Sequence, residues 1–320
     1  MSFNNIKGQD KPVGILKNYL AAGNFSGTYL FSGDEGIGKF LTAKTFAKAV
    51  NCLEGTHDCC DNCNSCRRID KEEHPDIHFI EATQSDIIKI EYIRDLKRKI
   101  SLRPYEAQKR VFIINDAQNL NAEASGALLK VLEEPPQDNL IILVTSKQGL
   151  LFETIISRCR IVKFFPLERE KLKQMLLKDC HMENSLAHFL AYFCEGRYGR
   201  AIRLSATETL LRKNSIIDAF GRADSRSFEI FFAENKDNLH SCLGILLGWL
   251  RDIYISKAGV ETCGLINFDR KDELMKLAQR FSFGELERML GRVSDSAVYL
   301  GQNINKRLIF ANLRAELWKG

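Results

Sequence analysis

The chain has 320 residues, with 46 Lys and Arg against 41 Asp and Glu, a net charge of +5. A hydrophobic fraction of 45% beside 27% charged residues is the composition of packed domains and excludes an intrinsically disordered chain, while the length predicts two or three such domains. The small basic excess permits contact with a polyanion without demanding it. Residues 140–144 and 243–250, the most apolar stretches, fall far short of the ~20 residues of a membrane span. The first thirty residues carry no basic start followed by an apolar run, so the expectation is an unexported, cytoplasmic protein without membrane contact.

Strand-like runs occur at 28–31, 77–81, 111–114 and 140–145, with a fifth at 161–165 closed by Pro166. Helix-period segments lie between them, which predicts one α/β domain with a mainly parallel sheet covered on both faces. All six prolines lie at or before Pro166. Beyond it strand signals vanish, and segments 171–178, 185–194, 239–254 and 283–300 place apolar residues three and four apart, as helices do. Gly196 and Gly199 punctuate this helical half, and Lys213–Asn214 reads as a seam, giving domains 1–166, 167–213 and 214–320.

The first strand runs into Gly33-Asp34-Glu35-Gly36-Ile37-Gly38-Lys39 and then a helix. Gly33, Gly36 and Gly38 let backbone N–H groups converge on an anion at a helix N-terminus, and Lys39 reaches the outer phosphates. The next residue should offer a hydroxyl to magnesium, yet it is Phe40. The strand at 111–114 likewise runs into Asn115-Asp116, with an amide where a metal-binding carboxylate belongs and Asp116 read either as a cap or as a vestigial acid. Two separate losses argue that hydrolysis has been abandoned; the glycines and Lys39 either still hold ATP or keep the turn.

Five of the ten cysteines lie between Cys52 and Cys66. Cys52, Cys60, Cys63 and Cys66 are spaced to close tetrahedrally around one structural zinc ion, with Cys59 as a spare that would replace Cys60 if the loop ran one residue differently. An iron–sulfur cluster is the rival metal reading, although the closing Cys-Pro is missing, and reduced unligated thiols are the third. His57 and His74 read as surface residues and not as ligands. Downstream, the helix-like segment 91–101 sets Arg94, Lys97 and Arg98 three or four apart, with Lys99 and Arg103 beside them, either a phosphate-binding stripe or a solvated face. Arg158 in Ser157-Arg158-Cys159 sits between a helical stretch and the last strand; it reads as an ordinary surface ion pair or as a guanidinium that forks onto phosphate.

In combination, Gly8-Gln9, the glycine-rich loop with Lys39, the four-cysteine insertion, the run from Leu128 to Pro136 (Leu-Leu-Lys-Val-Leu-Glu-Glu-Pro-Pro) and Ser157-Arg158-Cys159 resemble the δ′ family of bacterial DNA polymerase III clamp-loader subunits, within the AAA+ superfamily. Gly196-x2-Gly199-Arg200-Ala201 is similar to that family's small helical lid. The resemblance implies an α/β P-loop domain of the AAA+ (RecA-like) type with a zinc-binding insertion at 52–66, a helical lid, and an all-α C-terminal collar. It also implies assembly with γ/τ and δ subunits to load the sliding clamp onto primer–template DNA, with Arg158 acting in trans on the ATP of a motor subunit. Two other readings stand beside it: an active ATPase, either a motor of the same loader or a small phosphotransferase, and a zinc-dependent nucleic-acid-binding module.

Overall fold

A computed structural model describes residues 1–55, 57–82, 87–133, 137–206, 209–221, 239–259, 264–302 and 304–317. The chain divides into two compact units, one comprising Met1–Leu167 with Arg197–Arg200, the other Glu168–Gly196 with Ala201–Gly320. Residues Glu134, Pro135 and Pro136 of the Leu128 to Pro136 run lie outside the described residues.

The first unit contains α1 (Asp10–Ala21), β1 (Gly27–Ser32), α2 (Lys39–Val50), α3 (Asn64–Asp70), β2 (Ile77–Ile80), α4 (Ile90–Ile100), β3 (Arg110–Ile114), α5 (Ala122–Glu133), β4 (Asn139–Thr145), α6 (Glu153–Ile156) and β5 (Arg160–Lys163). The strands form one sheet in the order β2-β3-β4-β1-β5, and every pairing is parallel. Successive side chains of a strand face opposite sides. Tyr29, Phe31, Val111, Ile113, Leu140 and Ile142 join the core on the α1–α2 side, whereas Leu30, Phe112, Ile114, Ile141 and Leu143 join the core beneath α4 and α5. Burial on both faces explains the unbroken apolar runs of β3 and β4.

Three local readings change. The last strand ends at Lys163: the Phe164 N–H still donates to the carbonyl of Ser32, the last residue of β1, but Phe165 bonds to the Gln9 side chain and not to a strand. The stretch before Arg158 is a short 3-10 turn, Gln148–Leu150, followed by the one-turn α6. His74 is buried and no surface residue: its Nδ1 accepts the backbone N–H of Asp76, 3.2 Å away, and the ring is absent from the metal-competent cluster.

In the second unit, α7 (Arg169–Asp179) packs on α8 (Asn184–Phe193), and α11 (Leu239–Lys257) packs on α10 (Thr209–Gly221), α12 (Lys271–Arg280) and α13 (Phe283–Gly301), the last of which also meets α14 (Lys306–Leu317). A further helix, α9, covers Tyr198–Ser205. A capping box starts α13: Ser282 Oγ accepts the Glu285 N–H at 3.3 Å, and the Glu285 carboxylate accepts the Ser282 N–H at 2.7 Å. The seam read at Lys213–Asn214 falls inside α10. Lys213 is fully buried, with its ammonium 2.5 Å from Asp269, so this polar pair is a packed part of one helix and no linker. Among the described residues no helix is long and apolar enough to cross a membrane.

One buried ion pair ties the first unit's loops together. Asp76, wholly buried, accepts the backbone N–H groups of Tyr105, Glu106 and Ala107 at 2.8 to 3.0 Å and the Arg110 guanidinium at 2.8 Å. Arg110 in turn donates to the carbonyls of Lys99, Leu102 and Arg103, closing the end of α4. Burial alone would raise the Asp76 carboxyl, but these donors hold it down at about 2. The folded value lies below the ordinary 3.8, so its stabilisation is complete above that pH and is lost as the pH falls toward 2. Replacing Asp76 with Asn should cost about 3 kcal/mol at neutral pH. In urea titrations at a series of pH values, the gap between the parent and Asp76→Asn should narrow through that acidic window.

Candidate phosphate loop, cysteine cluster and arginine edge

The phosphate loop leaves the C-terminal end of β1, the edge at which parallel α/β sheets bind ligands. Gly33, Gly36 and Gly38 all have positive φ, at 150°, 78° and 99°. At Gly33 the requirement is also steric, since a Cβ there would sit 2.4 Å from the Phe164 carbonyl oxygen. Lys39 opens α2 and is 7% exposed, and its Nζ donates to the Asp34 carbonyl at 2.6 Å. Burial lowers its pKa, against the opposing charges of Asp116, Asp34 and Glu35.

Phe40 packs on Phe79, with ring centroids 5.9 Å apart, at the margin of the α1–α2 core. Asn115, past the end of β3, donates from Nδ2 to Glu81 at 3.3 Å. Asp116 adopts a left-handed backbone and its carboxylate caps no helix; it accepts Gln118 Nε2 at 3.0 Å. Gln118 was not singled out from sequence, yet its Oε1 also accepts the Thr145 hydroxyl at 2.7 Å, joining the ends of β3 and β4. A single glutamine in a three-residue 3-10 turn carries no periodic signal by which to find it.

The insertion brings Cys52, Cys60, Cys63 and Cys66 together, with one sulfur from each lying within 4.8 Å of the others. Backbone N–H groups point at these sulfurs: Gly55 and Cys60 donate to Cys52, Cys63 to Cys60, and Cys66 to Cys63, at 3.1 to 3.4 Å. Cys59 lies outside the set, its thiol turned toward the Met1 carbonyl and the Asp61 carboxylate at 3.4 Å. Four convergent sulfurs with donors behind them fit a tetrahedral thiolate-binding metal such as zinc and leave no open position. Burial pushes the Cys52 thiol up to about 11. Lys48, 1% exposed on α2, fastens the insertion from below through Asp61 at 2.5 Å and Asp70 at 3.0 Å. Sequence reading missed it because a lysine in a helix normally reads as solvated. His57 is exposed.

On α4 the buried face is Ile93, Leu96 and Ile100. Arg94, Lys97 and Arg98 line one shallow concavity with Glu91 and Ser101 on the opposite side of that helix. Arg98 and Lys99 pair with Asp95 at 3.2 and 2.9 Å; Arg94 and Lys97 have no ion-pair partner among the described residues. Arg158 follows α6 at the sheet's other end, half exposed and 3.1 Å from Glu133.

The family profile described as DNA polymerase III, delta subunit, matches residues 8–168, and that described as DNA polymerase III, delta subunit, C terminal, matches residues 210–316. Among curated proteins, DNA polymerase III subunit delta′ of Bacillus subtilis (strain 168) is 28% identical over 98% of this chain and 97% of its own length. DNA polymerase III subunit tau of the same organism is 38% identical, over 51% of this chain and 29% of its own length. A solved structure, the gamma subunit-related protein of Thermotoga maritima, superposes with a TM-score of 0.48 at 16% identity, covering 97% of this chain and 99% of its own. With its P-loop-type parallel sheet, cysteine insertion and helical C-terminal half, this chain belongs to the DNA polymerase III delta′ family of clamp-loader subunits.

Proposed function

We propose that the chain is the non-hydrolysing stator of a cytoplasmic clamp loader, assembling with γ/τ and δ subunits to place a sliding clamp on primer–template DNA. The observation that carries this reading is Phe40. In the position that would hold magnesium, its ring is committed to Phe79 and offers no oxygen. Asn115 supplies an amide to Glu81 where a second metal ligand would be needed. The loop and Lys39 remain, so a nucleotide without catalytic metal is compatible with the site. The helices beyond Leu167 supply the lid and the collar in this reading. Arg158 contributes in trans: its permanent positive charge offsets the charge that develops on a γ-phosphate bound by an adjoining motor.

Zinc has a structural part in this scheme. Held by Cys52, Cys60, Cys63 and Cys66, it closes the insertion after α2, and Cys59 stays a bystander. The stripe of Arg94, Lys97 and Arg98 offers sequence-independent phosphate contacts to duplex passing the loader.

Three outcomes test these assignments. The isolated chain should release phosphate no faster than buffer, whereas in the reconstituted loader with clamp and primed DNA Arg158→Ala should lower turnover by roughly tenfold at the site it serves, with assembly unchanged by sedimentation. Turnover by the isolated chain at a motor's rate would restore the active-ATPase reading. Metal analysis should find about one zinc per chain, lost in Cys63→Ser with a lower Tm and retained in Cys59→Ser. Replacing Arg94 and Lys97 together by Ala should reduce the salt dependence of the loader's DNA binding by about two phosphate contacts; an unchanged slope would leave the stripe a solvated face.

A further inference from the structure

Arg158 is not a free side chain. Its Nη1 donates to the Thr154 carbonyl at 3.0 Å and its Nη2 to Glu133 Oε1 at 3.1 Å. The two tethers come from different elements, since Thr154 belongs to α6 and Glu133 is the last residue of α5. They fix the guanidinium plane from two directions. Of the five N–H donors of an arginine, two are engaged in this way and, among the described residues, the others stay available on a group that is 36% exposed.

Glu133 is poorly placed for the helix that carries it. The C-terminal end of a helix is the negative end of its dipole, where a cation is favoured and a carboxylate is not. Nor does the pair do much for folding, because both partners are substantially exposed, at 36% and 55%, and such ion pairs contribute little. What the pair does accomplish is to remove rotamer freedom from a long side chain before it meets a partner.

We propose that Glu133 is a positioning residue for Arg158: with the Thr154 carbonyl it holds the guanidinium ready for a phosphate group presented by an adjoining subunit. This rests on the reading of Arg158 as an arginine acting in trans. The carboxylate does not compete with the phosphate, because it occupies one N–H of Nη2 and leaves the other donors to the incoming anion.

The test uses the reconstituted loader with clamp and primed DNA, and measures ATP turnover as a function of ATP concentration. Glu133→Ala should lower kcat by roughly three- to tenfold with the KM for ATP unchanged, since the nucleotide is held by the neighbour's own loop. Glu133→Gln, which keeps an oxygen acceptor at the same reach, should recover part of that loss, and it carries the test should the alanine variant fail to assemble. In an Arg158→Ala background, Glu133→Ala should add nothing. If Arg158→Ala itself leaves turnover intact, the trans reading of Arg158 falls. If Arg158→Ala lowers turnover while Glu133→Ala and Glu133→Gln do not, or if Glu133→Ala lowers it further without Arg158, only the positioning inference falls. A rise in turnover on removing Glu133 would show competition with phosphate and would overturn it equally.

Discussion

The first unit is organised around the missing side chain of Gly33. The backbone there passes so close to Phe164 that a methyl group would sit 2.4 Å from its carbonyl oxygen, and the Phe164 N–H bonds to Ser32 at 2.8 Å. This close approach draws the segment after β5 against the start of the phosphate loop, and the parallel pairing of β1 with β5 does the rest. The loop and the segment after β5 are therefore set together and cannot be adjusted independently, whereas Arg158, before β5, lies at the opposite end of these strands. Any larger residue at position 33 would push the loop away from Phe164, so the cost of substitution would fall on the loop and on the segment that follows β5.

On the proposed reading, the difference between a motor and a stator comes down to a few atoms. The cradle needs glycines and a lysine, which are present, whereas hydrolysis additionally needs hard oxygen ligands for a cation. In that reading Phe40 puts core packing where a ligand would be needed, and the ring gains contact with Phe79 that a serine would forgo. The exchange favours a fixed loop over a reactive one. Lys39 is satisfied by the Asp34 carbonyl within the loop itself, so the turn's geometry does not depend on phosphate.

Much of this was legible in the sequence, for physical reasons that also mark the limits. The buried runs of β3 and β4, the glycine spacing before Lys39 and the cysteine spacing after α2 are local patterns, and each maps onto a local structure: strand, turn and sulfur cluster. Whether Cys59 or Cys60 joins the cluster was undecidable from spacing, because both sit in the same loop; only the direction of the Cys59 thiol separates them. Pairs that join distant residues left no trace. Asp76 meets Arg110 across 34 positions and Arg158 meets Glu133 across 25, and neither pair has a periodicity to betray it. Burial of single polar residues was equally hidden. His74 read as a surface residue, Lys213 as part of a seam, and Lys48 was not singled out, but each lies inside because a specific partner satisfies it.

Helix α2 gives the glycine loop a structural part that does not depend on a metal. Its first residue is Lys39, its last turn contains the buried Lys48, and Cys52 follows two residues beyond Val50. The helix thus runs from the phosphate loop to the cysteine insertion as one rigid rod, whose apolar residues Ala43, Phe46, Ala47 and Val50 lock onto the sheet. Losing the glycine turn would redirect the rod, and with it the platform on which Asp61, Asp70 and the four sulfurs are assembled. Phe40 and Asn115 can therefore stand at their positions with little structural penalty, whereas Gly33, Gly38 and Lys39 are constrained by the architecture they support.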